Sequence, residues 1–182
     1  MVRRKLYGIA VLFLLALAVG APVLAQAKRL PYVVRQGSGA VAELKPTQGN
    51  KAAGTVKFEE ADGKVRVVAD FTGLPPGKHG LHVHENADCS APDASSAGSH
   101  FNPGNKQHGA PNAAEHHAGD FGNIDADAAG RAHLDTTLCF VTVSDGPKSV
   151  VRHSVIVHAA PDDFKTQPTG NAGARLACGV IK

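Results

Sequence analysis

Turn residues arrive at short intervals along this chain, and the runs between them are too short and too β-branched for helices. Ala61-Asp62-Gly63 separates runs at 55–60 and 64–72, and its aspartate–glycine step is a strong hairpin signal. Leu74-Pro75-Pro76-Gly77 breaks the chain before a run at 79–85. Ala128-Ala129-Gly130 lies between 123–127 and 131–137, Ser144-Asp145-Gly146-Pro147 lies between 140–143 and 149–158, and a last run covers 175–181. Past the N-terminal segment no apolar pattern of helical period persists. The pattern predicts eight strands in an all-β antiparallel sandwich or barrel.

Two stretches break that rhythm: a loop of about 37 residues over 86–122, rich in Gly, Ala, Asn, Pro and His, and a shorter loop over 159–174. A structureless loop of the first length counts against a compact fold unless something orders it. A polar loop studded with ligand side chains is commonly folded by the metal it binds.

The N-terminus belongs to neither pattern. Arg3, Arg4 and Lys5 precede an apolar run from Leu6 to Val19, and Val23-Leu24-Ala25 and Ala25-Gln26-Ala27 both fit a small-x-small cleavage site. This describes a secretory signal peptide over 1–25, cut after Ala25 or Ala27, because the run is shorter than the roughly 20 residues of a membrane span. A polar arm over 26–37 then leads into one domain over 38–182. The chain carries 19 Lys+Arg against 16 Asp+Glu, and loss of Arg3, Arg4 and Lys5 leaves 16 of each sign. A nearly neutral mature protein gives no reason to expect a nucleic-acid or anionic-lipid partner. Export to a periplasmic or extracellular space favours one disulfide among Cys89, Cys139 and Cys178, and the sequence alone permits three pairings. Cys139, in Leu138-Cys139-Phe140-Val141, reads as a buried free thiol on a core-facing strand.

Ten histidines are distributed unevenly. His82 and His84, two apart in a strand, share a face, whereas Leu81 and Val83 point to the core. His100, His108 and His117 follow at intervals of eight and nine in the long loop, Asp120 comes three residues later, and His158 closes a later strand. Imidazoles with a carboxylate suit zinc, and imidazoles alone suit zinc or copper. Spacing alone thus indicates an exported protein holding one or two metal ions. His79, His133 and His153 read as ordinary surface or strand histidines, and His116 as exposed. Asp125-x-Asp127 followed by Gly130 lacks the terminal glutamate of a calcium loop and reads as a hairpin.

Gly80-Leu81-His82-Val83-His84, His100-Phe101-Asn102-Pro103, Lys106-Gln107-His108-Gly109 and the run from His117 to Asn123 resemble successive motifs of the copper–zinc superoxide dismutase family. Val155-Ile156-Val157-His158 and the run from Gly170 to Ile181 do so as well, in family order and in the manner of secreted bacterial members. The resemblance implies an eight-stranded Greek-key β-barrel with two long functional loops, the family being a standard instance of that sandwich architecture. It implies His82, His84, His100 and His158 as copper ligands, with His100, His108, His117 and Asp120 as zinc ligands and His100 shared. It also implies Asp162 as the outer carboxylate joining His82 to His108, with Asp163 its nearest competitor, and Arg175 as the receiver of superoxide beside copper. A Cys89–Cys178 disulfide is implied too.

The reaction so implied converts two superoxide anions to dioxygen and hydrogen peroxide, with copper alternating between +2 and +1, zinc tuning the shared ring, and His100 moving a proton. The chain departs from the family in its short second loop, where Ala159 and Ala160 stand in place of a common lysine and Lys165 remains, so that steering could pass to Lys106. It departs again in an insertion-like segment over 91–96. A monomer or homodimer is expected. The alternative is an exported copper- or zinc-binding protein of the same fold without turnover.

Overall fold

The computed structural model describes residues 38–182, so the signal segment at 1–25 and the arm at 26–37 lie outside the described residues. Eight antiparallel strands follow in order: β1 (Ser38–Pro46), β2 (Ala53–Ala61), β3 (Lys64–Thr72), β4 (Gly77–His84), β5 (Asp120–Ala126), β6 (Ala132–Leu138), β7 (Ser154–His158) and β8 (Arg175–Val180). They close into a barrel in the spatial order β1-β2-β3-β6-β5-β4-β7-β8. The step from β3 to β6 and the later return to β4 make the connection a Greek key.

Local chemistry accounts for the hairpins. At the β2–β3 turn Asp62 and Gly63 have φ of 51° and 72°, and Ala61 pairs with Lys64 across a two-residue loop. Such turns need positive φ at both central positions, which aspartate tolerates and glycine adopts freely. Asp127 holds the β5–β6 connection by accepting from the backbone N–H groups of Ala129 and Arg131, each at 2.9 Å. Alternation then fills the interior: Val65, Val67, Ala69 and Phe71 of β3 point inward between exposed or half-exposed neighbours. Phe58 on β2 meets Phe121 on β5 with ring centroids 6.2 Å apart, within the aromatic contact range.

Three expectations about strands change. β1 does not appear among the β-branched runs because its inward residues are Ala40, Ala42 and Leu44; its alternation is clear only once burial is seen. The run at 140–143 is not a strand. Apart from an isolated Thr142–Ser149 bridge it lies in bends and turns, held by Glu60, whose carboxylate accepts from the N–H groups of Val143 (2.9 Å) and Ser144 (2.6 Å). Val141 and Val143 are buried there without ladder pairing, which shows that β-branched residues report burial as much as pairing. The strand expected over 149–158 is confined to Ser154–His158. No helix among the described residues is long and apolar enough to cross a membrane.

Candidate metal centre

β4 supplies the foundation. Leu81 and Val83 are fully buried toward the barrel interior, and His82 and His84 leave the other face with ring centroids 6.4 Å apart. β7 runs antiparallel beside β4, pairing Val155–Val157 with Val83–Leu81, and its last residue, His158, brings a third imidazole 4.9 Å from that of His82. Register shifts occur next to two of these ligands, between Gly80 and His82 and between Val157 and His158. Bulges of this kind re-aim side chains beside functional sites.

The long loop lies over this face. Phe101 N–H donates to Val83 O (2.8 Å), Val83 N–H to Gly119 O (2.9 Å), and Gly119 N–H to Phe101 O (2.9 Å). A Cβ on Gly119 would meet Val83 O and lie 3.0 Å from Phe101 N, so only glycine permits this approach. The stitching brings His100 to His84, with ring centroids 5.0 Å apart. The loop is anchored at its start by the Cys89–Cys178 disulfide to β8, with Cα atoms 5.8 Å apart across 89 residues of sequence. A closed loop of that size stabilises by about 4–5 kcal/mol in the chain-entropy account.

Two buried groups of potential ligand atoms result: His82, His84, His100 and His158, and His100, His108, His117 and Asp120, each set lying within 4.8 Å of one another. In the first group every ring has its outward nitrogen engaged, that of His100 by Asp120 of the second group. His84 Nδ1 donates to Gly98 O (2.9 Å), His158 Nδ1 to Gly173 O (3.1 Å), and His82 Nε2 to Asp162 Oδ2 (2.8 Å). These bonds fix the tautomers and turn the remaining nitrogens toward one another, with His84 Nε2 and His158 Nε2 3.4 Å apart. In the second group Asp120 Oδ1 lies 2.9 Å from His100 Nδ1, 3.0 Å from His108 Nδ1 and 3.3 Å from His117 Nδ1. Its other oxygen is held by the N–H groups of His117 (2.8 Å) and Gly109 (3.1 Å).

Asp162 joins the groups, its Oδ1 taking His108 Nε2 at 2.9 Å while Oδ2 takes His82. Asn123 on β5 fixes Asp162 in turn: its Nδ2 donates to Asp162 O (2.9 Å) and its Oδ1 accepts from Asp162 N–H (2.7 Å). Asp163 faces its own turn instead, capping Lys165 and Thr166.

The buried nitrogens His82 Nδ1, His100 Nε2 and His108 Nδ1 have no hydrogen-bond partner. Leaving a buried polar atom unsatisfied costs about 1–3 kcal/mol, and these three point into the two groups, where a cation would satisfy them. Four imidazoles suit copper or zinc, and three imidazoles with a carboxylate suit zinc, so the donor sets fit both metals.

Electrostatics divide the site. Burial pushes His84 and His158 well below the ordinary imidazole value, and it takes His100 down to about 4 against the opposing bond to Asp120. Neutral imidazole is the ligating form. Burial also opposes charge on His108, but Asp120 and Asp162 outweigh it and raise the group to about 9. For Asp120 the cost of burial is overcome by the imidazoles of His100, His108 and His117 gathered around it, which hold it well below the usual carboxylate range.

Arg175 opens β8, half-buried. Its Nη1 donates to Ala94 O (2.6 Å) and its Nη2 to Gly98 O (2.7 Å). It therefore bonds carbonyl oxygens rather than serving as a salt-bridge partner at the barrel end. Gly98 O is also the acceptor of His84 Nδ1, so one carbonyl links the guanidinium to the first group. Ala94 and the short 3-10 turn Ser95–Ala97 fall in or beside the insertion-like segment, which supplies one of the arginine's two acceptors. Lys106 donates to Ala114 O (2.8 Å) and lies 3.6 Å from Glu115, which offsets its charge.

Among the other residues His116 and Cys139 differ from expectation, whereas His133 and His153 are the surface histidines expected and His79 is a strand histidine whose burial and bonding add to the reading. His79 is buried, its Nδ1 2.8 Å from His158 O and its Nε2 2.7 Å from Pro75 O, so it ties the turn before β4 to the end of β7. His116 is half-buried against Phe140, with centroids 4.4 Å apart. His133 is an exposed partner of Asp70, and His153 bonds Glu85 O while stacking on Phe101. Cys139 is exposed, because β6 ends at Leu138 and the chain bends just beyond it. The one mark Asn123 leaves in the sequence is an amide within the β5 run, between Gly122 and Ile124.

Comparison with known proteins agrees with this geometry. Residues 52–181 match the family model for copper/zinc superoxide dismutase. The chain is 45% identical over 148 residues to superoxide dismutase [Cu-Zn] 2 of Brassica juncea, covering 78% of this chain and 95% of that protein. It is 40% identical over 151 residues to the extracellular superoxide dismutase [Cu-Zn] of Brugia pahangi, covering 78% and 74% respectively. Among solved structures, that of the clock protein EA4 superposes with a TM-score of 0.73 at 41% identity, covering 80% of this chain and 94% of that one. With the family model spanning β2 to β8 and both ligand groups, the chain belongs to the copper/zinc superoxide dismutase family.

Proposed function

We propose that the chain disproportionates superoxide, two anions and two protons giving one dioxygen and one hydrogen peroxide. His82, His84, His100 and His158 hold copper, and His100, His108, His117 and Asp120 hold zinc. The observation that carries this reading is the place of His100 in both groups, with Nδ1 beside Asp120 and Nε2 buried and unpartnered. When bound, copper supplies a one-electron couple between +2 and +1, and zinc fixes the shared ring and lowers the cost of removing its second proton.

The protein's own groups do the rest. Arg175, permanently charged and anchored on Ala94 O and Gly98 O, draws the anion toward the first group. His100, with a buried unpartnered Nε2, would take up a proton there and hand it on to the product hydrogen peroxide. Asp162 orients His82 and His108 together, so the two groups keep a fixed relation through turnover.

Export fits the Cys89–Cys178 disulfide and the relative named as extracellular. A signal peptide over 1–25 accounts for it, and the N-terminal mass of the protein recovered outside the cytoplasm should begin at Gln26 or Lys28. Function is tested by metal analysis with a superoxide-consumption assay on the mature chain. Fully metallated protein that consumes no superoxide would leave metal binding as its sole activity.

A further inference from the structure

We propose that Gln167 is a positioning residue for the zinc group, clamping the backbone of His108 from the short second loop before any cation arrives. The inference rests on the reading of His100, His108, His117 and Asp120 as that group. His108 lies in an irregular segment and makes no backbone–backbone hydrogen bond among the described residues. Both of its main-chain groups go to one side chain: its N–H donates to Gln167 Oε1 (2.8 Å), and its carbonyl accepts from Gln167 Nε2 (2.9 Å). A primary amide used in this way imitates a strand neighbour, and reversing it would set oxygen against oxygen. With Asp162 on ring Nε2, the second loop holds His108 at three points, leaving Nδ1 directed at the ligand group.

The clamp is built without using a metal ligand for its own order. Asp163 Oδ1 accepts from the N–H groups of Lys165 (2.9 Å) and Thr166 (2.8 Å), and its Oδ2 accepts from Thr166 Oγ1 (2.6 Å). Gly170 N–H closes the turn on Thr166 O (2.7 Å), and Asp163 N–H returns to Gly170 O (2.8 Å). Gly170 has φ of 64°, and a Cβ there would coincide with Asp162 Oδ1 and overlap His108 Nε2, so the turn presses against the ligand it serves. A shortened loop has thus kept a defined contact with the zinc group. The cost of ordering His108 is met in the metal-free fold, which strengthens zinc binding without adding a ligand.

The test compares wild type with Gln167→Met, which keeps length and volume but loses both bonds, and with Gln167→Ala. Gln167 is exposed on its outer side, so either change leaves the barrel core untouched. In metal-free wild-type protein the His108 amide should be protected from hydrogen exchange, and in both variants it should exchange freely. Titration with Co(II) at the zinc group should show affinity lowered about tenfold or more in both variants, with altered visible absorption bands, while copper affinity changes by less than about twofold. A Gln167→Met protein with wild-type Co(II) affinity and spectrum would overturn the clamp. So would recovery by methionine of what alanine loses, which would assign the effect to packing, or an equal loss at both groups. An unprotected His108 amide in the wild type overturns it without any variant. Wild-type protein lacking a four-coordinate Co(II) spectrum would break the zinc reading instead, leaving exchange to judge the clamp.

Discussion

The two cation groups share His100 but are made from different kinds of chain. Three of the four imidazoles in the group proposed for copper, His82, His84 and His158, stand on paired strands of the barrel wall, each with its second nitrogen tied down. In the group proposed for zinc only Asp120 belongs to a strand; His100, His108 and His117 come from the long loop. The first group is therefore a feature of the barrel, fixed by ladder register. The second group depends on a loop held by a disulfide, a few backbone bonds to β4, and contacts from the second loop. Barrel order and loop order are separable in this molecule, and His100 and Asp162 are where they meet.

Loss of a meeting point should have the largest effect. His100→Ala removes a ligand from both groups, so superoxide consumption should fall by more than the roughly 100-fold that loss of an outer-sphere partner can cost. An active His100→Ala enzyme would mean the halves work separately. Asp162→Asn keeps shape but withdraws a carboxylate from His82 and His108 together. Affinity at both groups should fall about 10- to 100-fold by competition with a chelator, and a loss confined to one group would break the link between them.

Arg175→Ala tests the approach to the first group. It should lower kcat/KM about tenfold at low ionic strength with metal content unchanged, and the deficit should shrink as salt is added. A salt-independent deficit would assign Arg175 to holding Ala94 and Gly98 rather than to attracting substrate.

The smallest effect sharpens the comparison through pH. In metal-free protein the depressed His84, His100 and His158 are neutral when folded, whereas unfolded imidazoles take protons below about 6.5. Their contribution to stability is present above that value and is lost as pH falls, through about 4 for His100. His108 is raised to about 9, so its contribution is present below 6.5 and is lost as pH rises through about 9. Melting temperature in the presence of chelator should peak near neutrality and fall by about 5 °C toward each side. His108→Gln should flatten only the alkaline fall; an unchanged alkaline limb would show that the carboxylates beside His108 do not hold its proton.

The division between barrel and loops also decides what could be read from the chain. The residues that converge in the two groups were legible through their resemblance to the motifs of a metal-binding family, spacing alone indicating only one or two ions, and the hairpin at Asp62-Gly63 was legible because its φ values restrict the residues allowed. β1 escaped notice because Ala40 and Ala42 fill a tight interior with small side chains. Residues 140–143 misled because burial of Val141 and Val143 mimics a strand. Cys139 turned outward because β6 stops one residue earlier, a boundary that no local pattern marks. His79, Asn123 and Gln167 act on backbone groups distant in sequence, and a side chain bonding a remote carbonyl or N–H leaves no periodic trace. What was missed is largely the work of holding the ligands in place.

The central claim is that the ring of His100 joins two cations, and magnetic coupling tests it most directly. With Cu(II) in the strand-borne group and Co(II) in the loop-borne group, electron paramagnetic resonance should show the isolated copper signal lost through exchange across the shared imidazolate. Removing Co(II) should restore that signal. An ordinary Cu(II) spectrum with both groups verified as full would contradict the account.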